Sequence, residues 1–182
     1  NNDKINFDAG IETFEDLQLS KSDRFQFILP YYNFKTQILQ NKFQGTFDFN
    51  SSGSNTLQNT NDLKSIIIND LNFNSNDYFS SLGLNTKFDI NLKNSNSVGK
   101  KNQKYKSSPQ IEMVSLFNIN TSMPLIKNNK YYVNYLTPKI SFKFNPSDMK
   151  NYSDSSNQID VSNIFSNNRL GLNDTFEAGR SL

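Results

Sequence analysis

The side chains able to carry chemistry here are carboxylates, lysines and three arginines, because the 182 residues include no Cys, His or Trp. A chain without cysteine has no disulfide framework and no thiolate-bound metal. One without histidine lacks the usual general base and the commonest metal ligand. A nucleophile–base pair would need Lys or a carboxylate, and no spacing singles one out. The expectation is therefore a protein that is not an enzyme and uses no cofactor. Asp148, Asp154, Asp160 and Asp174 share the stretch 145–174 and are candidate ligands for a divalent cation. Their spacing fits no calcium loop, which favours a solvated acidic loop without metal. Arg169 has two readings: a charge-assisted tie from this long loop through Asp174 or Glu177, or an ordinary surface arginine. Asn151-Tyr152-Ser153, Asn120-Thr121-Ser122 and Asn173-Asp174-Thr175 match the glycosylation pattern, but 30 asparagines produce such matches by chance.

Bulk charge narrows the partners. The balance of 19 basic and 17 acidic residues, with Lys and Arg spread along the chain, is too even to imply a nucleic-acid groove or an acidic tail. Asn and Ser together make up 53 of 182 residues, well above ordinary usage. No stretch has the apolar length of a membrane helix and none resembles a signal peptide. Hydropathy averaging is blind, however, to a membrane β-barrel, whose strands alternate.

The elements that would hold these residues read almost throughout with period 2. Leu82, Leu84, Thr86, Phe88, Ile90 and Leu92 alternate with Gly83, Asn85, Lys87, Asp89, Asn91 and Lys93. Similar apolar stripes are Ile5, Phe7, Ala9 and Ile11; Phe43, Gly45, Phe47 and Phe49; and Leu63, Ile67, Leu71 and Phe73. Ile111, Met113, Phe117, Ile119 and Met123 make the next, followed by Leu136, Ile140, Phe142 and Phe144. Across these six strands twelve charged residues occur: Lys4, Asp8, Glu12, Asp48, Lys64, Asp70, Lys87, Asp89, Lys93, Glu112, Lys139 and Lys143. All twelve fall on the polar phase. A charge-free face is what hydrocarbon demands, since a mid-bilayer Lys costs about 2–4 kcal/mol.

Eight strands are predicted, over 4–14, 24–38, 43–50, 62–74, 79–93, 109–125, 131–144 and 175–182. In the second, Phe25, Phe27, Leu29 and Tyr31 share one phase and Tyr32, Phe34 and Ile38 the other, so a bulge or lost pairing is expected at Pro30. Pro138 also lies inside a predicted strand, whereas Pro109 and Pro124 suit strand ends. Connections alternate between short turns (39–42, 75–78, 126–130) and long loops (51–61, 94–108, 145–174), with 15–23 in the long series. Short turns at one end and long loops at the other describe an outer-membrane barrel, and most strands are roughly three times the usual soluble length. Tyr31, Tyr32, Tyr78, Phe79, Tyr131, Tyr132 and Tyr135 cluster toward strand ends or bends and are candidates for an aromatic girdle, although Tyr also packs well in any sheet. A soluble β-sandwich or adhesin-like domain explains the period but neither the strand length nor the alternating connections. The chain starts Asn1-Asn2-Asp3 and stops at Ser181-Leu182 inside a predicted strand. The expected fold is thus all-β: residues 1–182 as part of one antiparallel transmembrane β-barrel, truncated at both ends, since an open edge cannot face lipid.

The run Asp160-Val-Ser-Asn-Ile164-Phe165-Ser-Asn-Asn-Arg169-Leu-Gly171-Leu-Asn-Asp174-Thr-Phe-Glu177-Ala-Gly179-Arg-Ser-Leu182 is not generic strand or loop. It resembles a stretch in the barrel of the LPS-assembly outer-membrane protein family, LptD, also called organic solvent tolerance protein. There an aliphatic-Phe pair leads into an Arg-Φ-x-Gly-x-Asp-x-x-Glu-x-Gly pattern that re-enters a strand. Ile164, Phe165, Arg169, Leu170, Asp174, Glu177 and Gly179 look like those positions. Gly171 falls one residue early, Leu170 replaces a commoner aromatic, and Thr175 stands where a basic residue is usual. Asp23-Arg24-Phe-Gln-Phe-Ile-Leu-Pro30-Tyr-Tyr-Asn-Phe34 and Tyr135-Leu-Thr-Pro138-Lys-Ile-Ser-Phe-Lys-Phe144 look like two further strands of the family, and Met123-Pro124-Leu125 a strand end. The ordered series spans roughly residues 15–182.

What the resemblance implies is transport without a cofactor. Such barrels take lipopolysaccharide arriving along a periplasmic bridge (LptA-like) and release it into the outer leaflet of the outer membrane. They do so through a seam between first and last strands, with a lipoprotein plug (LptE-like) in the lumen. This stretch would contribute wall, lumen lining and extracellular loops, in contact with outer-membrane lipid. The competing expectation is a porin-like or adhesin-like β-domain with a binding or structural role.

Overall fold

A computed structural model describes residues 5–18, 24–40, 44–58, 61–102, 104–148, 158–172 and 175–181. Every regular element among them is a strand: β1 (Ile5–Glu15), β2 (Phe25–Gln40), β3 (Gly45–Gln58), β4 (Asp62–Ser75), β5 (Tyr78–Phe79), β6 (Asn85–Lys100), β7 (Gln110–Ser122), β8 (Leu125–Asn128), β9 (Val133–Leu136), β10 (Lys139–Asn145) and β11 (Gly179–Ser181). The main sheet runs β1-β2-β3-β4-β6-β7-β10-β11, with β5 on β6, while β8 and β9 form a two-stranded sheet of their own. Pairing is antiparallel, as the period-2 pattern and short connections require. Among the described residues β1 does not pair with β11, so this sheet is open rather than closed.

Several predicted limits move. β3 continues to Gln58 and β6 to Lys100, so most of the segment 51–61 and nearly half of 94–108 are strand and the connections shrink to 59–61 and 101–109. The alternation of long and short connections is correspondingly weaker than the sequence suggested. Ser51-Ser-Gly-Ser-Asn-Thr-Leu-Gln58 has turn-like composition, but its side chains pair across the ladder: Ser51 Oγ donates to Asn69 Oδ1 at 2.7 Å and Ser65 Oγ to Asn55 Oδ1 at 2.6 Å. The predicted strand 131–144 splits into β9 and β10, with residues 137 and 138 between them; Pro138 lacks an N–H, though its carbonyl accepts from Met123 N at 3.1 Å. The predicted strand 175–182 is ladder only at Gly179–Ser181.

The defect at Pro30 is resolved in detail. Gly10 faces Tyr31 and Glu12 faces Ile28, so Leu29 and Pro30 together oppose the single residue Ile11. This two-against-one count is a β-bulge, and it explains why the apolar phase switches there. It also moves Tyr31 opposite Gly10, onto the face of Asp8 and Glu12, and out of the apolar stripe to which its spacing assigned it.

The chain forms two compact units, one of Asn1–Ile38, Asp48–Leu71 and Leu92–Met113, the other of Leu39–Phe47, Asn72–Asn91 and Val114–Leu182. Each is inverted relative to a water-soluble fold. In the first, Ile5, Ile11, Ile67 and Met113 are exposed while Lys93 and Ser95 are buried. In the second, Ile119, Ile140 and Phe142 are exposed while Asp89, Asn91, Lys143 and Asn145 are buried. Among the described residues only Phe73, Val114, Leu116 and Phe176 are buried hydrophobics.

Candidate functional site: a polar face with a segment docked on it

Strand alternation places Lys87, Asp89, Asn91 and Lys93 of β6, Asn118 and Asn120 of β7, and Lys139, Ser141, Lys143 and Asn145 of β10 on one face. The charged side chains buried there find polar partners, an opposite charge for Lys93 and neutral groups for Asp89 and Lys143. In the first unit Lys93 Nζ lies 2.6 Å from Asp70 Oδ1. In the second, Asn118 is a hub: its amide donates to Asp89 Oδ2 at 3.1 Å and Asn167 Oδ1 at 2.7 Å, and its carbonyl accepts from Ser141 Oγ at 3.0 Å. At 1% exposure it is among the most buried side chains, and every one of its polar atoms is used.

Residues 158–172 and 175–178 fold back onto this face of the second unit. Lys143 Nζ donates to Ile164 O at 3.0 Å and also to Ser166 O. Asn145 Nδ2 donates to Phe176 O at 3.3 Å and Glu177 O at 3.0 Å. Phe176 packs with Val114 and Leu116, two apolar residues on the otherwise polar phase of β7. Arg169 grips Glu177 in a fork, Nε to Oε2 at 2.6 Å and Nη2 to Oε1 at 2.7 Å. The Glu177 carboxylate bonded to it raises the Arg169 pKa further above its ordinary value. The segment is thus held to this face through backbone carbonyls and a small apolar cluster, and it is closed on itself by the Arg169–Glu177 ion pair.

The residues singled out from the sequence fall as follows. Arg169 and Glu177 come together, while Asp174 lies outside the described residues. Ile164 serves through its carbonyl, its side chain being partly exposed. Phe165 lies with Lys139 Nζ 6.0 Å from its ring centroid. Gly171, one residue early in the pattern, has φ +68° and donates its N–H to Asn168 O at 3.2 Å, so it makes a turn. Gly179 opens β11 opposite Asn145. Pro30 and Pro138 shape strands remote from this segment in the chain. Asp160 is a turn residue: Oδ1 accepts from Ser162 N at 2.7 Å and Ser162 Oγ at 2.6 Å, and the hydroxyl bond holds its carboxyl below the usual range. Among the described residues no group of three or more acidic side chains is placed to hold a metal; Asp154 and Asp174 lie outside them.

Sequence reasoning missed Asn118, Lys143 and Asn145 as anchors. The available signal was Val114 and Leu116, apolar residues out of phase on β7, which mark a place where something covers the polar face. Beside the docked segment lies a cavity of about 220 Å³ lined by Asn85, Lys87, Asn120, Ser122, Lys139 and Phe165 among others. The amide oxygens of Asn85 and Asn120 are buried there without a hydrogen-bond partner. The arrangement presents ammonium, amide and hydroxyl groups for non-covalent contact with polar groups. Compared with known protein families, curated proteins and solved structures, the chain has no match.

Proposed function

We propose that this chain is a stretch of barrel wall in an outer-membrane translocon that inserts lipopolysaccharide into the outer leaflet. The observation that carries the membrane half of this reading is the inversion itself. Large apolar side chains are exposed on one face while Asp89, Lys93 and Lys143 are buried on the other, and of the charges in the six alternating strands only Glu15 and Lys100, at strand ends, share the apolar phase. In water such a surface would aggregate; against acyl chains it is the stable arrangement. No helix among the described residues is long and apolar enough to cross a membrane, so strands are the spanning elements in this reading. Polar groups within the apolar phase satisfy one another. Tyr32 OH and Ser51 Oγ lie 3.2 Å apart, Ser51 donates to Asn69, and Asn69 Nδ2 donates to Asn94 Oδ1 at 3.2 Å. Mutual satisfaction is what a solvent without hydrogen bonds requires.

The lipopolysaccharide half rests on the resemblance around Arg169, Asp174 and Glu177 and on the polar, catalytically bare character of the other face. In this reading a lipoprotein plug and a periplasmic bridge protein are the partners, and moving an amphipathic lipid needs shape and polarity rather than a nucleophile. Two measurements test it. The protein should migrate heat-modifiably in detergent, and its depletion should lower surface lipopolysaccharide. Purification of this chain as a folded monomer without detergent would overturn the membrane reading. Heat-modifiable migration with unchanged surface lipopolysaccharide would leave a porin-like or adhesin-like wall instead.

A further inference from the structure

The β8–β9 hairpin is the element least suited to standing in water. Its register is Leu125↔Leu136, Ile126↔Tyr135, Lys127↔Asn134 and Asn128↔Val133. Alternation therefore puts Leu125 and Leu136 on one face and Ile126, Tyr135 and Val133 on the other. Neither face is covered: Ile126 is 62% exposed, Leu136 63%, Tyr135 74% and Tyr131 83%. A two-stranded hairpin is marginal alone, and one with apolar side chains on both faces needs a surrounding medium rather than a single partner surface. Its backbone leaves the main sheet at Met123–Pro138, just beyond the exposed Ile119, Ile140 and Phe142 of β7 and β10.

Charge identifies the medium. From Met113 through Ser147 the sequence has no Asp or Glu, while Lys127 and Lys130 lie on the hairpin and Lys139 follows it. Lys130 Nζ sits 5.7 Å from the Tyr131 ring centroid, a cation beside an aromatic. Tyrosines with an apolar body and polar tip, interleaved with unpaired lysines, match the boundary between acyl chains and negatively charged headgroups. We propose that this hairpin seats in that boundary and that Lys127 and Lys130 pair with the phosphates of anionic phospholipids. This rests on the membrane reading above and adds a ligand class and a site to it.

The test uses the protein reconstituted in bilayers of phosphatidylcholine alone or containing phosphatidylglycerol. The chain has no Trp, so Tyr131→Trp, and Tyr135→Trp as a second reporter, give difference emission at the hairpin. Phe142→Trp reports the apolar face of the main sheet. In the anionic bilayer the hairpin reporters should be blue-shifted and shielded from acrylamide. Reversal of both lysines (K127E with K130E) should lower the docked-to-free ratio roughly thirtyfold, the equivalent of about 2 kcal/mol at about 1 kcal/mol per lysine. Equal shielding in both lipids, or shielding that survives the reversal, would overturn the proposal in favour of a neutral or protein cover such as a second copy. Water-like hairpin emission with a shielded Phe142→Trp also overturns it while leaving the membrane reading intact. A water-like Phe142→Trp would sink both.

Discussion

At the residue scale the docked segment depends on few side chains. Arg169 and Glu177 close a bidentate pair in which the guanidinium is largely shielded, its side chain 13% exposed. Arg169→Ala removes both bonds and leaves a carboxylate without its partner, a loss of roughly 1.5–3 kcal/mol for hydrogen bonds to charged groups. Amide hydrogen exchange over residues 164–170 should rise accordingly, and Arg169→Lys should not restore protection because an ammonium lacks the fork. Unchanged exchange would refute the tether. Lys143→Met keeps the stem but strands the Ile164 and Ser166 carbonyls, so it should loosen the same amides by about 1–3 kcal/mol. Asp160 supplies a pH dependence. Its folded carboxyl titrates below the ordinary range because Ser162 donates to the ionised form. Its contribution is therefore present above the unfolded pKa and is lost as pH falls through the folded one. A carboxyl-carbon NMR titration should show the turn at 160–164 holding at neutral pH and releasing only in acid.

At the element scale, glycines and asparagines do work that composition alone leaves unexplained. A Cβ on Gly53 would meet Tyr32 Cε1 at 2.4 Å, so the Tyr32 ring lies across the bare backbone of β3 while its hydroxyl reaches Ser51. Gly53→Ala should displace the ring and break that bond, costing about 1–3 kcal/mol in urea unfolding from detergent micelles. The surplus of Asn has a comparable cause. Asn69, Asn94, Asn55 and Asn118 link neighbouring strands through uncharged amides that both donate and accept. Asn69 and Asn94 lie on the apolar phase of β4 and β6. Asn69→Leu, which leaves Ser51 and Asn94 each short of a partner, should destabilise the sheet by roughly 1–3 kcal/mol despite being more apolar.

At the scale of the whole molecule the question is which solvent each face meets. Ile119 is 47% exposed on the apolar phase of β7. In water Ile119→Lys would change stability by no more than about 0.5 kcal/mol, since exposed substitutions are near neutral. Against mid-bilayer lipid the same change should cost about 2–4 kcal/mol and impair membrane assembly. Folding yield into vesicles separates the two outcomes. Period-2 alternation and the bulge at Pro30 were legible in the sequence because each follows from local backbone geometry, which fixes the face to which every second side chain points. What only the tertiary structure decided were the ends of β3 and β6, the face taken by Tyr31, and the docking of residues 164–167 and 176–177 on Asn118, Lys143 and Asn145. Those depend on contacts between residues far apart in the chain. A local pattern fixes a side chain's direction, but the neighbour that covers it fixes its burial and therefore its energy.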